Sequence, residues 1–131
     1  MAKDDGGRAL DACVRYATIA TEIDRLTHEI TFSECPNESP SEPETHWWGN
    51  PSCFEAAKEV DVPQTYEDMP HSRKRTLDEI EVEVADCESC TRLVGLIRKR
   101  RHEKRRLGAA KRWIRKIGTA MLSQEADDGP A

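Results

Sequence analysis

The chain has 131 residues, a net charge of −5, 37% apolar and 34% charged residues, and only seven aromatic side chains. That length allows one domain with a modest core, and the low apolar content suits elongated helices with wet outer faces. No apolar run approaches the ~20 residues that cross a bilayer. No apolar leader core follows the N-terminus, so a cytoplasmic protein without membrane contact is expected.

The first helical signal covers residues 7–33. Ala9, Ala12, Tyr16, Ile19, Ile23, Leu26 and Ile30 alternate spacings of three and four, which draws one stripe along a helix. Arg15, Glu22, Asp24, Arg25 and Glu29 fall between them, as on a solvated side. Cys13 reads as a small apolar residue near this seam. Pro36 ends the helix.

Between residues 35 and 71 the pattern dissolves. Six prolines (36, 40, 43, 51, 63 and 70) punctuate it, and disorder is expected around 37–44. His46, Trp47, Trp48, Cys53 and Phe54 concentrate bulk in the middle. This patch is expected to fold onto the end of a helix pair, because aromatics bury large areas.

Residues 72–86 are ambiguous. Ile80, Val82 and Val84 alternate like a strand, while Leu77, Ile80, Val84 and Cys87 also fit a helix face. No second convincing strand is available to pair, which favours helix. A long second helix is predicted over 76–123, with a frayed tail over 124–131. Its stripe runs Leu93, Leu96, Arg100, Glu103, Leu107, Ala110, Ile114, Ile117 and Met121, with a polar interruption at Arg100 and Glu103. Two matching stripes predict a mostly α fold: one domain over 1–131, built as an antiparallel coiled-coil hairpin with a long irregular Pro-rich loop.

The cysteines suggest what holds that loop. Cys87 and Cys90 form a C-x-x-C, and positions three apart at a helix start project to the same side. Cys35 lies where the first helix ends and Cys53 in the aromatic segment. In an antiparallel hairpin these four meet at one end and supply the thiolates of a structural zinc site, with His46 as a replacement if Cys35 points away. Four thiolates leave no open position for catalytic water. The alternatives are free buried cysteines or a redox pair, the latter requiring a βαβ unit that is not evident here.

Charge is divided along the chain. Eighteen acidic residues fall within 22–88, and 12 basic residues stand against the single acid Glu103 within 92–116. Arginine outnumbers lysine in the basic run, favouring bidentate contacts to phosphate or carboxylate. Arg98, Arg101, Arg105, Arg112 and Trp113 are the expected contact face, for nucleic acid or for an acidic surface of a host protein complex. Neutralisation within the hairpin or a homodimer is the plainer alternative. No enzyme is expected: the four histidines are scattered, and neither a phosphate-binding glycine loop nor a nucleophile elbow is present.

A heptad helix, a cysteine-bearing loop, and Cys87-x-x-Cys90 leading into an Arg-rich helix together resemble small helical-hairpin proteins of phages and prophages. The resemblance implies a non-enzymatic binder that acts by occupying a surface, such as an inhibitor of host nucleic-acid-targeting defences. It transfers no functional residues.

Overall fold

The computed structural model describes residues 5–38, 51–62 and 71–127. Along these residues run α1 (Asp5–Thr31), α2 (Cys53–Ala57), β1 (Glu59–Asp61), β2 (Ser72–Lys74), α3 (Leu77–Glu83) and α4 (Glu88–Asp127). The protein is mostly helical, and the long N-terminal helix packs on the long C-terminal one. The chain divides into two compact units: Met1–His28 with Arg98–Ala131, and Glu29–Ile97. No helix among the described residues is long and apolar enough to cross a membrane.

The first unit pairs the greater part of α1 with the C-terminal part of α4. Ala12, Ile19 and Leu26 are buried on α1; Glu103, Ala110 and Ile117 are buried on α4. Both sets recur every seven residues, so each helix presents one narrow stripe to the other. The two run antiparallel. Arg100 donates to Thr27 Oγ1 at 3.5 Å, while Ala12 and Arg15 share a pocket with Ala109, Ala110 and Trp113 about three turns further along. The flanking residues Ala9, Tyr16, Ile23, Leu107 and Ile114 are half-buried beside these stripes.

Glu103 breaks the apolar pattern yet is only 8% exposed. Burying a carboxylate is costly unless it is paired. Arg106, one turn on, brings Nη1 to 2.9 and 3.1 Å from its two oxygens. Cys13 departs from its expected place near the seam. It is exposed, because one residue beyond Ala12 rotates it about 100° away from the buried stripe.

The second unit has a small core of Cys35, Phe54, Ala57, Ile80, Val84, Cys87, Cys90 and Val94. The stretch expected to lack structure here contains α2, capped by Ser52, whose Oγ accepts the Glu55 amide at 3.1 Å. It also contains β1, which pairs antiparallel with β2 so that Glu59 faces Lys74 and Asp61 faces Ser72. Arg75 ties this ribbon to α2 by donating to the Ala57 carbonyl at 3.1 Å.

Residues 80–83 are helical, as favoured. The single helix predicted over 76–123 is instead two, α3 and α4, separated by a turn at 84–87. The physical reason is the start signal inside the run. The Cys87 amide donates to the Val84 carbonyl at 2.8 Å and its own carbonyl accepts Thr91 N at 2.9 Å, so Cys87 caps a new helix. The expected disorder around 37–44 falls largely outside the described residues, as do His46, Trp47, Trp48 and the last four residues of the tail.

α3 begins with a capping box. Thr76 accepts the Glu79 amide at 3.3 Å and Glu79 Oε1 accepts the Thr76 amide at 3.1 Å. Arg73 on β2 grips both Glu79 oxygens, at 3.1 and 2.9 Å. Arg73 first, then the Thr76 amide, holds this carboxyl down to about 2.

Two predictions follow from these contacts. Leu26→Ala, at a fully buried seam position, is expected to cost about 2–5 kcal/mol in urea denaturation, whereas Leu10→Ala on the exposed side changes stability by less than about 0.5 kcal/mol. Folding lowers the Glu79 value, so its contribution is complete above the ordinary 4.5 and is lost as pH falls toward about 2. The stability gap between wild type and Glu79→Gln should therefore be present at neutral pH and close across that window.

Candidate metal centre

Four sulfurs meet in the second unit. Cys35, Cys53, Cys87 and Cys90 offer ligand atoms that all lie within 4.8 Å of one another. Cys35 Sγ is 3.7 Å from both Cys53 Sγ and Cys87 Sγ. A disulfide would need about 2.05 Å, so these are thiols in contact. A tetrahedron of sulfurs about 2.3 Å from a central ion has edges of about 3.8 Å, close to both of these separations. The cluster could hold a metal ion.

Each ligand is placed by local structure. Cys35 opens the turn Cys35-Pro36-Asn37-Glu38, closed by the Glu38 amide on the Cys35 carbonyl at 3.0 Å. Proline at the second position presets its backbone. Cys53 is the first helical residue after the Ser52 cap of α2. Cys87 caps α4 and Cys90 follows three residues later, so both thiols stand at the positive end of a 40-residue helix. Cys35, Cys87 and Cys90 are buried, and Cys53 is half-buried.

Hydrogen bonds at the cluster act on the sulfurs unequally. The Cys53 backbone N–H first, then the Asn37 N–H and the thiols of Cys90 and Cys87, hold Cys35 down to about 6 against the opposing effect of burial. Burial pushes Cys90 up to about 12, although the Phe54 N–H opposes it. Cys53 receives the Asn37 side-chain amide at 3.2 Å; this bond lowers its value, but Cys35, burial and Cys87 together outweigh it and raise the thiol. Cys35 is thus the sulfur its surroundings best suit to carry negative charge, which favours a soft cation.

Asn37 and the amide donors of Cys53 and Phe54 escaped the sequence reading. A Cys-Pro-Asn run marks a turn that aims an amide back at its own cysteine, and that signal was legible.

The predicted contact residues lie in the other unit, on α4. Arg101, Arg105 and Arg112 are exposed and Arg98 is half-buried. Their spacing of three and four places them within about 40° of the direction opposite the Glu103–Ala110–Ile117 stripe. Arg115 continues the row and was not singled out. Arg101, Arg105, Arg112 and Arg115 have no ion-pair partner among the described residues. Trp113 does not join them. It stands about 100° round the helix from Arg112, where it lines the pocket of about 350 Å³ with Ala12, Arg15, Ala109 and Ala110, and Lys116 Nζ lies 5.8 Å from its ring centre.

The two units differ sharply in charge. The unit carrying this row has 15 basic and nine acidic residues, net +6; the unit carrying the cysteines has five and 16, net −11. Comparison with family models, curated proteins and solved structures finds no match to this chain.

Metal content checks the cluster. Protein purified without chelator is expected to carry one metal ion per chain by mass spectrometry. Cys87→Ser and Cys90→Ser should each lose it, while Cys13→Ser retains it; a full complement of metal in Cys87→Ser would contradict the four-sulfur site.

Proposed function

We propose that this is a non-enzymatic nucleic-acid-binding protein, with a structural zinc ion in the Glu29–Ile97 unit and a contact surface on the outer face of α4. Zinc is the reading that suits four cysteine sulfurs at near-tetrahedral separations. It also suits the closed ligand set, which leaves no position for a reacting water. The seven-residue recurrence of buried positions on α1 and α4 supports an antiparallel coiled coil in the first unit.

The observation that carries the reading is the arginine row. Four exposed guanidinium groups share one face without an acidic partner among the described residues, on a unit of net charge +6. Charge runs on helices usually serve as solvated faces or pair with acids of a neighbouring turn. Here the acids are concentrated in the other unit, and Glu103, the acid within the basic run, is turned into the seam and held by Arg106. Uncompensated guanidinium groups at fixed spacing suit phosphates, which accept two parallel hydrogen bonds from each.

Binding should fall steeply with salt. Four or five phosphate contacts correspond to a slope of about −4 in log K against log salt on duplex DNA. Arg101→Glu with Arg105→Glu is expected to abolish binding while circular dichroism remains that of wild type. A flat salt response would refute the reading.

A further inference from the structure

The outer face of α4 carries arginine and no lysine between residues 98 and 115, and that points to the form of nucleic acid. Opposite the buried Glu103–Ala110–Ile117 stripe, the outward positions are Arg98, Arg101, Arg105, Gly108, Arg112 and Arg115. Every side chain in this row is an arginine. Off the row, Lys104 and Lys111 share one flank, about 100° from the seam, Lys116 lies on the other with His102, and Lys99, Arg100 and Arg106 lie nearer the seam. The row extends for about 26 Å along a single helix.

We propose that α4 reads the major groove of double-stranded DNA, with the arginine row on guanine edges and the flanking lysines on the phosphates of the two groove walls. The inference rests on the nucleic-acid reading above and narrows it, moving the row's central guanidinium groups from phosphate to base edges. A major groove about 12 Å wide admits one helix, and arginine is the side chain that bonds guanine O6 and N7 together. Lysine, a compact point charge, suits the backbone. α1 packs on the side of α4 opposite the row and so stands behind it, clear of a groove.

Gly108 sits mid-row, where helix propensity disfavours it by about 1 kcal/mol relative to alanine. A Cβ there would meet only Arg112 Nη1 at 3.6 Å, so internal packing does not demand glycine. Its effect is to leave the middle of the row open to close approach.

Single strands fit less well. They are held by aromatic stacking platforms, and Trp113 faces the pocket beside α1 rather than the row. Duplex RNA also fits less well, because its major groove is too narrow for side chains to read.

The test is binding of the full-length protein, by fluorescence anisotropy, to short duplexes of G·C or A·T pairs, to the G·C duplex made with 7-deazaguanine, and to the matching single strands. The G·C duplex should bind about fivefold to a hundredfold tighter than the A·T duplex, and 7-deazaguanine should remove most of that preference. Arg101→Lys with Arg105→Lys keeps the charge, so it should keep the salt slope and lose the preference. Equal binding of all duplexes, tighter binding of single strands, or a preference that survives 7-deazaguanine would overturn the major-groove inference and leave the broader reading standing. No binding to any of these nucleic acids would overturn both.

Discussion

The Glu29–Ile97 unit depends on the meeting of four sulfurs. Among the described residues, Phe54, Ala57, Ile80, Val84 and Val94 are the buried non-cysteine members of its core. Its secondary structure is a five-residue helix, a seven-residue helix, two three-residue strands and the first turns of α4. Short segments of this kind offset little of their own ordering entropy, so cross-links between them count. Cys35, Cys53 and the Cys87–Cys90 pair come from three separate stretches, and their convergence brings together the exit of α1, the start of α2 and the start of α4. A bound ion would turn that convergence into covalent-strength cross-links, and its binding energy would then be folding energy.

The first unit is held differently. One stripe on each of two helices is buried, with seven residues between successive members, and outside that stripe most side chains face water. The economy of this interface leaves the outer face of α4 unconstrained by packing. A helix whose inner face alone satisfies the fold can carry arginine after arginine on its outer face without destabilising the pair, beyond mutual repulsion that salt screens. Glu103 shows the converse: the acid in the basic run lies within the seam, with Arg106 as its partner, and does not neutralise the outer row.

In the proposed reading the two units divide the work. The cysteine unit supplies order and carries most of the negative charge, and the helical unit presents cations. An acidic unit of net −11 in the same chain would also disfavour indiscriminate adsorption to polyanions, leaving the arginine row to act where its geometry is matched as well as its charge.

The sequence by itself determined the two long helices, their apolar stripes and the four cysteines that cluster. A three-four repeat is local information: it depends on the pitch of the helix and on nothing remote, so Ala12, Ile19, Leu26, Ala110 and Ile117 could be assigned to the seam before any contact was known. The same repeat contained the arginine row, including Arg115, while Trp113 lies about 100° round the helix from Arg112. Tertiary structure alone decided the rest. The break at 84–87 required Cys87 to act as a cap in place of continuing a helix; a two-stranded ribbon of three residues per strand is too short to leave a periodic signal. The Asn37 amide reaches Cys53 because a turn and a helix start, 16 residues apart, are held together. The convergence of Cys35, Cys53, Cys87 and Cys90 belongs to both levels: the residue types announced the chemistry, and only the packing of three segments brought the sulfurs within reach of one ion.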